Sequence, residues 1–176
     1  CETLNGLNAD VGILKPSDYS VNFNDLISNF SGEKYLYLPP FMTGKEIGLI
    51  KKKLDIFDGI YCEGIYGFEL SSETKKDLFV GTGMNISNLL GVSLSVAKYV
   101  ALSKELTINE AGSLATCNTF YFTCGAIKVM DLIYCPFEKK CATCDRRANY
   151  KLKDEHGREF TLRRYNIDSC RFELYN

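Results

Sequence analysis

Histidine is nearly missing: of 176 residues only His156 is one. Nucleophilic serine and cysteine hydrolases need an adjacent base, most often imidazole. A Ser–His or Cys–His dyad is therefore excluded from the body of the chain. Neither HExxH nor GxSxG occurs, so the matching zinc-peptidase and nucleophile-elbow signatures are absent too. Excess charge of either sign is also lacking. The 21 Lys+Arg against 22 Asp+Glu give a net −1, which excludes a globally basic nucleic-acid binder and an acidic disordered tail. No apolar run approaches the ~18 residues of a membrane span, so no membrane partner is expected. No secretory leader is expected either, and the expected compartment is the cytoplasm. The chain starts at Cys1 rather than Met and is read as a piece of a longer protein.

What is present is enough for one domain with a small appendage. At this length roughly 70% of the unfolded surface is buried, so a real core forms without disulfides. Residues 1–127 carry 10 basic and 14 acidic side chains, and residues 128–176 carry 11 and 8. Four of the eight cysteines also lie in that last stretch. These asymmetries divide the chain into a body, 1–134, and a cysteine-bearing end, 135–176.

Short apolar runs recur along the body: Val11–Leu14, Tyr35–Leu38, Gly59–Tyr61, Leu78–Val80, Tyr99–Leu102 and Thr119–Phe122. Their starts lie 24, 24, 19, 21 and 20 residues apart. Continuous rather than alternating runs suit strands covered on both faces, and the spacing leaves room for one short helix each. The expected fold class is α/β, with a parallel βα body. Thr43-Gly-Lys-Glu46 and Thr107-Ile-Asn-Glu110 fit capping boxes, and after the first, Ile47, Ile50 and Leu54 share a helical face. Further helices are predicted over 24–30, 71–76 and 86–96. At the end, Tyr150, Leu152, Phe160 and Leu162 alternate with polar residues around Asp154-Glu-His-Gly157. That pattern predicts a small antiparallel hairpin, with His156 exposed in its turn.

The sharpest local signal is Cys135-x5-Cys141-x2-Cys144, then Cys170. A Cys-x-x-Cys pair lets two thiolates meet one ion, and the hairpin returns the chain toward them. Four thiolates suit a closed structural Zn²⁺ site, or an iron–sulfur cluster with the same ligand set. The alternatives are disulfides, a redox pair, or free and buried thiols. Cys62, Cys117 and Cys124 lie in or near apolar runs and are expected to be buried.

Reactive groups of parallel α/β sheets sit where strands end. That rule selects Lys15, Glu63, Thr82, Asn85, Ser103, Lys104 and Glu105. Among these, Glu63, Lys104 and Glu105 are the acid/base candidates, against the plainer reading of solvated charges. Gly81-Thr-Gly83 matches half of a dinucleotide fingerprint and lacks its third glycine. Arg146, Arg147, Lys151, Lys153, Arg163 and Arg164, with Tyr150 and Tyr165 among them, are candidates for a phosphate-contacting patch. The plainer reading is an ordinary charged hairpin.

Several stretches together resemble a known family: Tyr35-Leu-Tyr-Leu-Pro-Pro-Phe-Met42, Phe57-Asp-Gly-Ile60, Asn85-Ile-Ser-Asn88, Leu102-Ser-Lys-Glu-Leu106 and Lys128-Val-Met-Asp-Leu-Ile-Tyr-Cys-Pro136. The Cys-x-x-Cys, Tyr150-Lys-Leu-Lys-Asp-Glu-His-Gly157 and Cys170 follow in order. This order resembles the C-terminal region of long members of the collagenase-like peptidase family (peptidase family U32). The resemblance implies a TIM-barrel-like (partial or open) body and a protease or collagenase. The alternative it implies is an accessory RNA-binding module of the hydroxylating branch, whose iron–sulfur members act in RNA modification or ubiquinone synthesis. The implied partner is the N-terminal barrel of the same full-length protein, with a protein or RNA substrate. The family's barrel cluster, near C-x6-C-x15-C-x3-C, is not present; Cys117-x6-Cys124 matches its first step alone. Six strands are also too few to close an eight-stranded barrel.

Overall fold

A computed structural model of the chain describes residues 2–94, 96–137, 141 and 144–176. It divides into two units, one of residues 2–15 and 23–123, the other of 16–22 and 124–176.

The first unit is built on six parallel strands in sequential order. They are β1 (Val11–Leu14), β2 (Glu33–Leu38), β3 (Gly59–Cys62), β4 (Asp77–Val80), β5 (Tyr99–Ala101) and β6 (Thr119–Phe120). Each coincides with a predicted strand to within two residues at either end. The reason is the one read from the sequence: β3 is buried along its whole length, as are the last four residues of β2. Between them run α1 (Asn24–Ile27), α2 (Gly44–Lys51), α3 (Tyr66–Thr74), α4 (Leu89–Leu94) and α5 (Ile108–Ser113). Both predicted capping boxes form. Thr43 and Thr107 hydroxyls accept from the Glu46 and Glu110 amides, and the two carboxylates accept back from the threonine amides. Helix α3 begins five residues before the predicted stretch. Gly67 lets it lie against β3, where an added Cβ would meet the Cys62 Cβ at 2.6 Å. It ends at Lys75 in the left-handed region, φ 55°.

Val11 and Ile13 of β1 line the same cavity as Phe120 of β6. The two edge strands thus face each other, and the sheet is curled into a half-barrel. Its concave face is aromatic. Tyr35, Tyr37, Tyr61, Phe79 and Ala101 form one buried cluster. Tyr37 stacks on Tyr61 at 5.7 Å, and Tyr61 meets Phe79 edge-on at 5.1 Å. Alternate residues of the same strands, Leu36 and Leu38 among them, point the other way and are fully buried. With fewer than eight strands, large rings fill the space that opposite strands fill in a closed barrel.

The second unit is larger than a hairpin. It holds four antiparallel strands, β7 (Lys128–Leu132), β8 (Asn149–Lys153), β9 (Glu159–Asn166) and β10 (Cys170–Tyr175), in the order β7-β10-β9-β8. The predicted hairpin is β8–β9, with Tyr150 opposite Leu162 and Leu152 opposite Phe160. Gly157 takes the positive φ its turn requires, +78°. Strand β7 pairs with β10, so this sheet reaches back across a boundary drawn at 134/135. Residues 16–22 join it as a strap. Asn166 donates to the Ser17 carbonyl at 3.0 Å, and Tyr19 donates to the Asn166 carbonyl at 2.8 Å. Among the described residues no helix is long and apolar enough to cross a membrane.

Candidate functional site

The carboxyl ends of the half-barrel strands converge on Glu63, the residue after β3. It is 7% exposed. The Tyr37 phenol donates to its Oε2 at 2.9 Å, and the Thr82 hydroxyl lies 3.4 Å from its Oε1. The Thr82 amide donates to the Tyr61 hydroxyl at 3.0 Å. Lys15, after β1, holds its ammonium 3.9 Å above the Tyr37 ring centroid. Four strand ends thereby contribute to one polar cluster set on the aromatic interior.

The glycines of Gly81-Thr-Gly83 serve this packing rather than a nucleotide. A Cβ on Gly81 would meet the Tyr61 ring at 2.7 Å, and one on Gly83 would meet the Glu63 Cβ at 2.8 Å. The segment opens a three-residue helical turn, Thr82–Met84, too short for the helix a dinucleotide fingerprint introduces. Asn85 and Ser103 bond to each other through their side chains. Of the remaining rim candidates, Lys104 is half-buried and Glu105 is exposed. They follow β5, two strands from β3 and hence about 10 Å along the sheet from Glu63. The rim therefore separates Glu63 from Lys104 and Glu105, and Glu63 has a phenol and a hydroxyl beside its carboxylate.

Beside Glu63, on the concave face, lies a cavity of about 190 Å³. Its walls include the rings of Tyr61, Phe79, Phe120 and Phe122, with Ala101 and Thr82. Sequence reasoning selected Glu63 by the strand-end rule but missed Tyr37 and Tyr61, which read as ordinary core aromatics. The signal that identifies them is their two-residue register with Tyr35 and with each other, since Tyr37 pairs with Tyr61 across β2–β3.

In the second unit, strand direction gathers the cysteine end. Cys170 opens β10, opposite Asn166 at the end of β9. Leu132 at the end of β7 lies opposite Phe172, which brings Cys135, three residues on, toward the same edge. Arg164 donates from its backbone to Ala148, so the segment carrying Cys144 enters β8 there too. The Arg164 guanidinium donates to the Cys170 thiol at 3.5 Å and, through Nε, to the Arg147 carbonyl at 3.2 Å. Its bond to Cys170, with Cys144 also contributing, raises its affinity for its proton. The Arg146 amide donates to the Cys144 thiol at 3.4 Å. The Phe137 ring lies 4.6 Å from Tyr150 and 5.7 Å from Phe172. Burial, then the bond to Asp145, pushes the Tyr150 phenol up to about 12. Cys141 is exposed, and the two residues between it and Cys144 lie outside those described. Among the described residues, no three His, Cys, Asp or Glu side chains stand close enough to hold a metal ion.

Two other expectations change. Cys62 is buried, its thiol donating to the Gly64 carbonyl at 3.3 Å, but Cys117 and Cys124 are exposed. Cys117 sits in the turn before β6 and Cys124 just past that strand, where a short edge strand covers neither. The basic residues of the hairpin also divide. Neighbours on a strand face opposite ways, so Arg163 and Arg164 cannot share a face. Arg163 reaches the buried Glu173 at 3.2 Å. Lys151, on Arg163's side, bonds Thr161, and exposed Arg147 pairs with Asp145 at 2.8 Å. At the cysteine end Arg164 reaches the Arg147 carbonyl, and Arg146 and Arg147 are exposed. His156 is exposed in its turn, as expected.

No protein-family model matches the chain, and no curated protein or solved structure matches it.

Proposed function

We propose that the chain is the half-barrel and cysteine-bearing end of a protein of the collagenase-like peptidase family. In this reading Cys135, Cys141, Cys144 and Cys170 hold one structural zinc ion. The observation that carries it is the delivery of Cys135, Cys144 and Cys170 to one edge of one sheet from three different strand ends. The donor set fits the ion: four thiols and no oxygen ligand match tetrahedral zinc. The Arg164 guanidinium beside Cys170 would offset part of the negative charge of bound thiolates. Zinc held there would add a cross-link to the backbone pairing and to the Arg164 and Phe137 contacts that join these segments. It would close the sheet edge beside Arg164.

The peptidase chemistry of such a protein would need residues beyond this chain, with the N-terminal barrel as partner. The first unit contains no histidine, and Glu63 is engaged by a phenol and a hydroxyl. An RNA-binding role is less favoured, because Arg163 and Lys151 face away from Arg164 and divide the basic residues named for it between two faces.

The test is metal analysis with an absorption spectrum on anaerobically purified protein, repeated on Cys144→Ser and Cys170→Ser. About one zinc per chain and no visible band, lost in both variants, is expected. Iron and sulfide with a broad visible band would replace zinc by a cluster and favour the hydroxylating branch. No metal in any preparation would overturn the reading.

A further inference from the structure

We infer that the half-barrel holds a second, independent site that binds a small organic ammonium compound, its apolar ring in the aromatic cavity and its charged head toward Glu63. Three observations carry this, and none depends on the family reading or on the cysteines.

Size is the first. An apolar protein cavity of about 150 Å³ accepts benzene. The space here is about 190 Å³, enough for one six-membered ring with a short arm. Shape and polarity are the second. The walls are mostly ring surfaces, from Tyr61, Phe79 and Phe120 to Phe122, with Val11 and Ile13 of β1 opposite, and Thr82 adds a polar group beside Glu63. Thr82 belongs to both places: it lines the cavity, and its hydroxyl lies 3.4 Å from the Glu63 carboxylate. Tyr61 belongs to both as well, with its ring in the wall and its hydroxyl on the Thr82 amide. The carboxylate is thus one hydroxyl away from the cavity. Gly83 keeps that side open, since an added Cβ would press on the Glu63 side chain.

Sign is the third. Aromatic faces carry negative potential and attract cations, most strongly where water is excluded. A carboxylate 7% exposed adds to the same preference. The chain itself supplies a precedent, because the Lys15 ammonium is seated 3.9 Å above the Tyr37 ring at this rim. An anion would meet Glu63 and the ring faces together, and a neutral arm would gain only the apolar contact.

The experiment is calorimetric or NMR titration of the full chain with three isosteric probes: benzylammonium, benzyl alcohol and benzoate. Benzylammonium is expected to bind about tenfold more tightly than benzyl alcohol, the order that a desolvated cation–π contact provides, and benzoate least. Glu63→Gln keeps the shape and the bond from Tyr37. It is expected to bring the ammonium and the alcohol to within about threefold of each other. Ala101→Val, which fills the cavity, is expected to weaken all three, with circular dichroism confirming the fold. Equal binding of ammonium and alcohol by the unmodified chain would overturn the inference. So would a preference that survives Glu63→Gln, or no binding at all. If Glu63→Gln does not fold, the preference in the unmodified chain and the weakening of all three probes in Ala101→Val decide. Metal content plays no part in these readouts, so this inference and the zinc reading fail separately.

Discussion

The two units bury their polar groups in opposite places. In the half-barrel the strands are apolar on both faces, and charges collect at strand ends. Lys98 bridges Glu33 at 2.8 Å and Asp77 at 2.9 Å at one end, and Glu63 meets Tyr37 at the other. In the antiparallel unit, Glu173 lies in mid-strand with no exposure. It takes Arg163 at 3.2 Å, the Tyr175 phenol at 2.9 Å and Lys128 at 3.9 Å. The difference follows from pairing. Helical crossovers and filled interiors leave parallel strands no wet side. Antiparallel register sets Glu173 directly opposite Arg163, so a buried carboxylate finds its cation on the adjacent strand.

The largest effect should come from breaking that pair. Arg163→Met leaves Glu173 buried without its main partner and is expected to cost about 3–5 kcal/mol. The double change Arg163→Met/Glu173→Met should recover most of it. Urea unfolding gives the totals, and amide hydrogen exchange should accelerate in β9 and β10 while β2 and β3 stay protected. A single-variant cost near zero would mean that the charge inside the sheet is not held by its cross-strand partner. Next is the mirror test in the other unit. Leu36→Ala is expected to cost about 2–5 kcal/mol, with faster exchange confined to β1, β2 and β3. Uniform acceleration in both units would show that they unfold together and would blur the contrast.

The smallest effect concerns pH. The Thr107 amide and then its hydroxyl hold the Glu110 carboxyl below the usual carboxylate range. Because the folded value is lowered, this contribution is present above the ordinary glutamate pKa and fades as pH falls through the folded value. An NMR titration of Glu110 should show the lowered value, and Thr107→Ala should return it toward normal. No comparable change is expected in the antiparallel unit.

How much was legible follows the same division. All six parallel strands could be read because continuous apolar runs need no partner to be recognised, and both capping boxes because their partners lie three residues away. The start of α3 was hidden, since Gly67, its closest contact to β3, leaves no apolar period. Strand β10 was hidden because Arg171 and Glu173 are buried charges that look like surface. The strap was hidden because its contacts are made with Tyr165 and Asn166, far along the chain. At the rim the sequence marks Glu63 but not the tyrosines that define its surroundings, since an inward tyrosine at a strand end and a core tyrosine have the same local pattern. The cysteine spacing was plain, and the strand ends that gather three of the four were not.

The strap sets an order of assembly. Asp18 and Asn166, 148 residues apart, meet through their side chains at 3.5 Å. The β8–β9 hairpin, by contrast, closes between Lys153 and Glu159, six residues apart. Between those separations lie four to five doublings of loop length, roughly 3 kcal/mol of additional closure entropy. The hairpin can therefore form early and alone, whereas the strap must wait until most of the chain has been made. The antiparallel unit thus combines a very local pairing with one that spans most of the chain. Its contact order, rather than its four-strand size, should govern how fast it becomes native. A fragment beginning after Asn22 would keep every strand of that sheet and lose the segment that covers Tyr165 and Asn166.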